Sequence, residues 1–253
     1  MKFLLSPKWI AFTLIVILSL PAFDALSQWQ WRRLHQRQDF NTQIEQAQAR
    51  PAVSLKSLVK LSGKNVTVGQ DAQWRSVGVS GYWDMTHQVL VRKKSFESDM
   101  GFWVITPLVQ SNGIAVLVNR GWTPAKDSAL HTPDVVTPPQ GLIHITGRIR
   151  IVNSSGPGQP TDLPRGQVNT IVPKQIVSQG QVLGNAYLEM TASTPQSLTS
   201  DLKQIDPPEI SEGPHRSYAL QWIFFAIMTV IGWAILVRNE YLDRLTQSTE
   251  SAN

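Results

Sequence analysis

Two stretches of the chain carry no formal charge and very few polar residues, and they lie near its two ends. The first, residues 9–20, reads WIAFTLIVILSL, and Pro21, Ala22 and Phe23 extend it before Asp24. As a helix, residues 9–23 would cover about 22 Å, short of the ~30 Å hydrocarbon core of a bilayer. Leu4, Leu5 and the stem of Lys8 can lengthen it on one side, and Ala25 and Leu26 on the other. The second stretch, residues 218–237, reads YALQWIFFAIMTVIGWAILV and is interrupted only by Gln221 and Thr229. Its length and polarity predict a membrane-spanning helix. Tyr218, Trp222 and Trp233 put aromatic rings near its ends, where a bilayer interface favours them.

Between these stretches the period changes twice. Residues 29–50 (WQWRRLHQRQDFNTQIEQAQAR) contain neither Gly nor Pro, which predicts a polar helix continuing out of the first apolar run. Pro51 ends it, because proline disfavours helical geometry in the residue before it. From Trp74 the apolar residues recur every second position. Strands are predicted at 74–81, 88–94, 102–109, 114–120, 142–151 and 186–191. Gln110-Ser111-Asn112-Gly113 joins two of them with the Asn-Gly signal of a hairpin. In 142–151 the isoleucines 143, 145, 149 and 151 alternate with His144, Thr146, Arg148 and Arg150, one buried face against one wet face. Segments 154–166 and 194–214, rich in Gly or Pro, read as loops.

The expected fold class is a mainly β (α+β) extramembrane domain of antiparallel strands, flanked by two transmembrane helices. The corresponding segments are 1–8 as N-terminus, 9–26 as first span, 27–216 as the β-rich domain with helix 29–50 leading in, 217–237 as second span, and 238–253 as tail. The first span has a second reading. Lys2 and Lys8 resemble the basic start of a signal peptide, and Ala25-Leu26-Ser27 an acceptable cleavage site. If both helices span, both termini share one side, and the long middle segment crosses largely regardless of its charge. No Arg- and Ser-rich transit segment precedes the first helix, which favours a bacterial inner membrane over a mitochondrial one.

Composition narrows the functions. Charged residues make up 16% of the chain against ~25% in a typical soluble domain, and the deficit sits in the two apolar stretches. The net charge of +5 is dispersed, with small clusters at Arg92-Lys93-Lys94 and at Arg32, Arg33 and Arg37. Nucleic-acid binding would want a denser basic stripe interleaved with aromatics, so no nucleic-acid partner is expected. With no cysteine, disulfides, thiolate catalysis and Cys-ligated metals are excluded. No HExxH, GxSxG, P-loop or Rossmann glycine fingerprint occurs.

Three places remain where chemistry could sit. His215 stands just ahead of the second apolar run, and at helical spacing His215, Tyr218 and Trp222 share a face. A neutral imidazole can ligate haem iron and the rings can pack on a porphyrin, while the plainer reading is an interfacial histidine. Residues 116–124 (VLVNRGWTP) break a strand pattern with Asn119-Arg120-Gly121-Trp122. Arg120 there either closes an internal pair or contacts a partner or a haem propionate. Asp84, His87 and Asp99 would be the basis of a hydrolase with an assembled site, the weakest of the three.

Several blocks in order resemble the surfeit-locus protein one family of cytochrome c oxidase assembly factors. Trp29-Gln30-Trp31-Arg32-Arg33-Leu34 is similar to the family's exit from the first helix, and Gly81-Tyr82-Trp83-Asp84 to a strand end. Residues 101–108 (GFWVITPL) and 116–124 resemble two further motifs, and His215 with Tyr218-Ala219-Leu220-Gln221-Trp222 resembles the start of the second helix. The chain departs at Pro214, where many members have Asn, at Ser27-Gln28 in place of a glycine, and around residues 168–176. The resemblance implies a retained first helix, cytoplasmic termini and a periplasmic domain. It also implies a non-enzymatic role in maturing the haem-bearing catalytic subunit of a haem-copper oxidase, with other assembly factors and membrane lipid as neighbours. Haem a would be the transient cofactor, with His215 as candidate iron ligand; holding oxidase subunits together without haem is the alternative.

Overall fold

The computed structural model describes residues 2–63, 65–125, 132–152, 162–196 and 202–250. Most of the expected loop at 154–166, part of that at 194–214, and His131 lie outside the described residues. The chain divides into two compact units, one formed by residues 1–42 with 209–253, the other by residues 43–208.

The first unit is a pair of long helices. Helix α1 runs Pro7–Ala49 with Pro21 inside it. The polar helix expected at 29–50 is thus the second half of one continuous helix. In the first unit, α1 lies antiparallel to the C-terminal helix, His215–Glu250. Contacts climb one helix as they descend the other. Trp233 Nε1 donates to Thr13 Oγ1 at 3.1 Å, Phe23 stacks on Trp222 at 6.0 Å, and Ser27 Oγ donates to the Ala219 carbonyl at 3.1 Å. Ser27 and Ala219 are buried, since small side chains let the backbones approach. Thr229, a polar break in the second apolar run, donates its hydroxyl to the Phe225 carbonyl one turn back. That bond satisfies it without a partner outside the helix.

The outward faces of this pair are apolar. Leu14, Ile15, Ile17 and Leu18 on α1 and Phe224, Ile227, Met228 and Ile231 on the C-terminal helix are all exposed. An apolar surface of that extent is unfavourable in water and favourable in lipid. Both helices are long and apolar enough to cross a membrane, which fits membrane anchoring.

The second unit, among the described residues, has eleven strands, nine in one mixed sheet and the second and third in chain order in a separate antiparallel pair. They are β1 (Val53–Ser54), β2 (Val59–Ser62), β3 (Asn65–Val68), β4 (Ser76–Trp83), β5 (Val89–Phe96), β6 (Asp99–Val109), β7 (Ile114–Pro124), β8 (Ile143–Ile151), β9 (Gln167–Val168), β10 (Gln181–Val182) and β11 (Ala186–Thr194). A short helix α2 (Pro173–Ile176) lies between β9 and β10, so the C-terminal helix is α3. All six predicted strands are present, each displaced by a few residues at its ends. Strand β4 pairs with β8, β8 with β11, β11 with β7, β7 with β6, and the end of β6 returns to β4 through Tyr82–Val109 and Trp83–Leu108. Those five strands therefore close into a small barrel. Most pairs are antiparallel, while β11 joins β7 in parallel.

The apolar alternation explains what fills it. Val77 and Val79, Leu108, Val116 and Val118, Ile143, Ile145 and Ile149, and Leu188 belong to one buried cluster that joins all five strands. Strand β7 is buried on both faces, because Ala115 and Leu117 enter a second cluster with Val91, Ile105 and Tyr187. That is why its sequence is a continuous apolar run rather than an alternation. The β6–β7 turn forms at Asn112-Gly113 as expected: Gly113 has φ +80°, and Asn112 Oδ1 accepts from the Ile114 N–H at 3.0 Å.

Candidate functional site

His215 is the first residue of α3 and is partly exposed. Its Nδ1 lies 2.9 Å from Gln30 Oε1, in the middle of α1. Gln30 is itself buried at 8% exposure. An amide oxygen can only accept, so the contact places a proton on Nδ1, and in the neutral ring the lone pair is then on Nε2. Gly213 (φ +64°) turns tightly past the other edge of the ring, where a Cβ would stand 3.6 Å from Nε2. A Cβ there would only touch the ring at ordinary van der Waals distance, and the positive φ is what favours glycine at this turn.

The residues on the same helical face are not equivalent. Tyr218 is 47% exposed. Trp222 is engaged: it stacks on Phe23 and meets Phe225 edge-on at 5.8 Å. The face therefore offers an imidazole nitrogen and an exposed phenol, with Trp222 serving the packing of the two helices. Gln30 lies within the block of residues 29–34, where nothing local gives it a role. The available signal was an uncharged polar residue on one helix at the level where a second, antiparallel helix presents a histidine.

The block Asn119-Arg120-Gly121-Trp122 has an internal job. Val104 pairs with Gly121 and Ile105 with Asn119, so Arg120 is an extra residue bulged out of β7. Asn119 Oδ1 accepts from the Gly121 N–H at 3.1 Å, which pins the bulge. Gly121 has φ +142°, and a Cβ there would stand 2.6 Å from the Lys203 carbonyl oxygen. The close approach lets Trp122 exchange two backbone hydrogen bonds with Lys203, at 2.7 and 2.8 Å. Trp122 Nε1 donates to the Lys94 carbonyl at 2.9 Å and its ring stacks on Phe96.

The bulge aims Arg120 inward. Its guanidinium donates to Gln88 Oε1 at 3.1 Å and to the Val136 carbonyl at 2.9 Å, and lies 5.7 Å from the Trp83 ring centroid. Thr106 Oγ1 donates to the same Gln88 oxygen at 2.9 Å. Arg120 is fully buried, and burial pushes its pKa down to about 10. It remains a cation at neutral pH, held by two carbonyl oxygens and a ring, with no carboxylate salt-bridged to it among the described residues. Asn119, Arg120 and Trp122 are buried, so none offers a surface contact for a partner or a propionate in this conformation. The block is buried, as the internal reading expected, but Arg120 is held by neutral acceptors rather than by the ion pair that reading called for.

The hydrolase trio is not assembled. Asp84 Oδ2 meets His87 Nδ1 at 2.7 Å within one turn, but Asp84 N–H binds the Pro107 carbonyl near the end of β6, whereas Asp99 begins that strand. Among the described residues no group of three or more His, Asp or Glu side chains could hold a metal ion.

A buried ion cluster was not legible in the sequence. Glu189 on β11 is fully buried, 2.7 Å from Arg150 and 3.4 Å from Arg148 on β8. Tyr187, two residues away on β11, lies beside the same carboxylate, whose charge adds to burial in raising the phenol's pKa. Cross-strand register creates the cluster, since Arg148 and Glu189 are direct partners and Arg150 faces Tyr187.

Residues 17–227 match the sequence profile of the SURF1 family. SURF1-like proteins of Mycobacterium bovis and of two strains of Mycobacterium tuberculosis are each 32% identical over 236 residues, covering 92% of this chain and 84% of theirs. On both counts the chain belongs to the SURF1 family, which is linked in general to the assembly of cytochrome oxidase.

Proposed function

We propose that this chain is a membrane-anchored, non-enzymatic assembly factor that receives haem a and holds it for insertion into the catalytic subunit of a haem-copper oxidase. His215 is the iron ligand in this reading, and haem is cargo rather than a resident cofactor. Both helices span a bacterial inner membrane, the termini are cytoplasmic, and the β domain is periplasmic. The antiparallel packing of α1 on α3 supports two retained helices over a cleaved first one.

The observation that carries the reading is the contact between Gln30 Oε1 and His215 Nδ1. Histidines that bind metals characteristically donate their second ring nitrogen to an oxygen, which fixes the tautomer and raises the basicity of the ligating one. His215 has that arrangement already, with Nε2 beside a glycine. The residues present therefore fit one axial imidazole. Tyr218, exposed one turn along, offers a ring for the edge of a flat macrocycle. Haem supplies the iron and the apolar plane; the chain supplies an oriented nitrogen at the start of a membrane helix.

The test is spectroscopic. The protein purified from cells that make haem a is expected to show haem absorption, and the His215→Ala variant to lose most of it. A haem-free wild type, or an unchanged spectrum in the variant, removes the ligand assignment and leaves the alternative of a module that holds oxidase subunits without touching haem.

A further inference from the structure

Strand β5 contains a second bulge. Val91 pairs with Trp103 and Lys94 with Gly101, so three steps on β5 match two on β6. Lys93 absorbs the mismatch in the left-handed region at φ +57°. Side chains alternate along a strand, so without the extra residue Lys93 would share the face of Val91. With it, Lys94 does. A non-glycine residue in that backbone region is strained, and such strain persists where the surrounding structure fixes it, often beside a binding site. Here the bond from Trp122 Nε1 to the Lys94 carbonyl fixes it.

Lys94 is thereby placed in a cavity of about 300 Å³ whose walls are mainly apolar, with Val91, Trp103, Val152 and Ile171 among them, and which also meets Asn169, Thr170 and Tyr187. Its Nζ lies 4.1 Å from the Trp103 ring centroid. The charges around it do not balance. Arg150 is already paired with Glu189, and Arg148 reaches the same carboxylate. That single carboxylate faces two guanidiniums, and no carboxylate among the described residues is salt-bridged to Lys94. Burial and the neighbouring Arg150 push the Lys94 pKa down, as expected for a cation lacking its counter-charge.

We propose that this cavity binds a small organic monocarboxylate, its carboxylate on Lys94 Nζ and its apolar body against Val91, Val152 and Ile171. The aliphatic walls argue against a bare inorganic anion, which would leave them uncovered and lose its own hydration. The volume stands at the low end of ligand pockets, which limits the body to about the size of two fused rings. The site lies wholly within the β domain and does not depend on the role given to His215.

The experiment uses the full chain in phosphatidylcholine nanodiscs, with empty discs as the blank. Binding of 2-naphthoate and of the neutral 2-naphthamide is compared by ligand-observed NMR. The acid is expected to bind about tenfold or more tightly than the amide, as a contact to a charged group does. Lys94→Met should bring the acid down to the amide, and Ile171→Trp, which fills the cavity, should abolish both. Circular dichroism reports whether either variant has lost its fold; if Lys94→Met has, the acid-to-amide ratio of the wild type and the response to Ile171→Trp decide. Equal binding of acid and amide, binding of neither, or acid binding that survives Ile171→Trp in a folded protein overturns the proposal.

Discussion

Glu189 and Arg150 meet at 2.7 Å across the β8–β11 pair, with the carboxylate wholly removed from water. The guanidinium of Arg150 also lies 3.8 Å from the Trp74 ring centroid, and Arg148 donates to the Ile205 carbonyl at 2.9 Å. Burial raises the Glu189 pKa, and the two arginines oppose that rise. The cluster therefore depends on all its members. Glu189→Leu leaves two cations facing each other in the wall of the barrel, and breaking a buried pair from one side costs about 3–5 kcal/mol. Thermal unfolding of the detergent-solubilised protein should fall sharply. Adding Arg150→Met to that variant should recover part of the loss, since it removes one of the stranded charges. A midpoint unmoved by Glu189→Leu would show that the cluster contributes nothing.

Arg120 gives the opposite case, a buried cation with no carboxylate paired to it among the described residues. Its planar fork serves Gln88 and the Val136 carbonyl at once. A lysine carries a point charge on a flexible stem and cannot span both acceptors in that geometry. Arg120→Lys should therefore leave a buried acceptor unmet and cost about 1–3 kcal/mol. The measurement is thermal unfolding together with the yield of folded protein. If Arg120 were instead a surface contact for a partner, the variant would unfold like the wild type and lose only partner binding. The two outcomes do not overlap.

How much of this was legible in the sequence depends on the range over which each feature is decided. Most of the long strands follow from local alternation, because a half-buried strand must repeat every second residue, while β7 shows instead as a short continuous apolar run. The Asn112-Gly113 turn is equally local. Strands β1, β9 and β10 are two residues each and carry no period to read. The bulges at Lys93 and Arg120 are counts of one strand against another, so they exist only once the partner is known. The Asn-Arg-Gly-Trp block stood out as a motif, but burial of its arginine depends on Gln88 and Val136, far off in the chain. Gln30 was visible as a residue and silent as a partner, because nothing local to α1 states what α3 brings beside it.

Asp84 predicts a pH effect on the β domain. Burial works against its ionised form, but hydrogen bonds from Thr86 and from His87, and the nearby His87 charge, outweigh it and hold the pKa below the usual aspartate value of 3.8. With the folded pKa below the unfolded one, the unfolded state binds more protons across that window. Stability from this group is then fully present above the unfolded pKa and is lost as pH falls through the folded pKa. Asp84→Asn should flatten the decline in thermal midpoint below about pH 4 while leaving the neutral range changed only by the lost carboxylate contact to His87, since an asparagine Oδ1 still accepts from the Thr86 N–H. An unaltered acid limb in the variant would assign the decline to other carboxylates.

Gln30 is the residue through which the haem reading can be separated from a packing role. If it only fills space between α1 and α3, Gln30→Leu and Gln30→Glu differ in charge and little else for His215. If it fixes the imidazole, the two variants diverge in direction. Leucine takes away the acceptor at 2.9 Å, frees the ring to rotate or change tautomer, and should lower haem affinity about 10–100-fold. Glutamate keeps an acceptor at the same place and strengthens it, since a carboxylate draws the Nδ1 proton more strongly than an amide does. Haem should then be retained, with a more basic Nε2 and a midpoint potential shifted to more negative values. Affinity and potential are both read from the purified, haem-loaded protein, and circular dichroism reports that each variant is folded. Folded variants that bind haem alike, with the same potential, would show that Gln30 does not set the ligand and that the contact is packing alone.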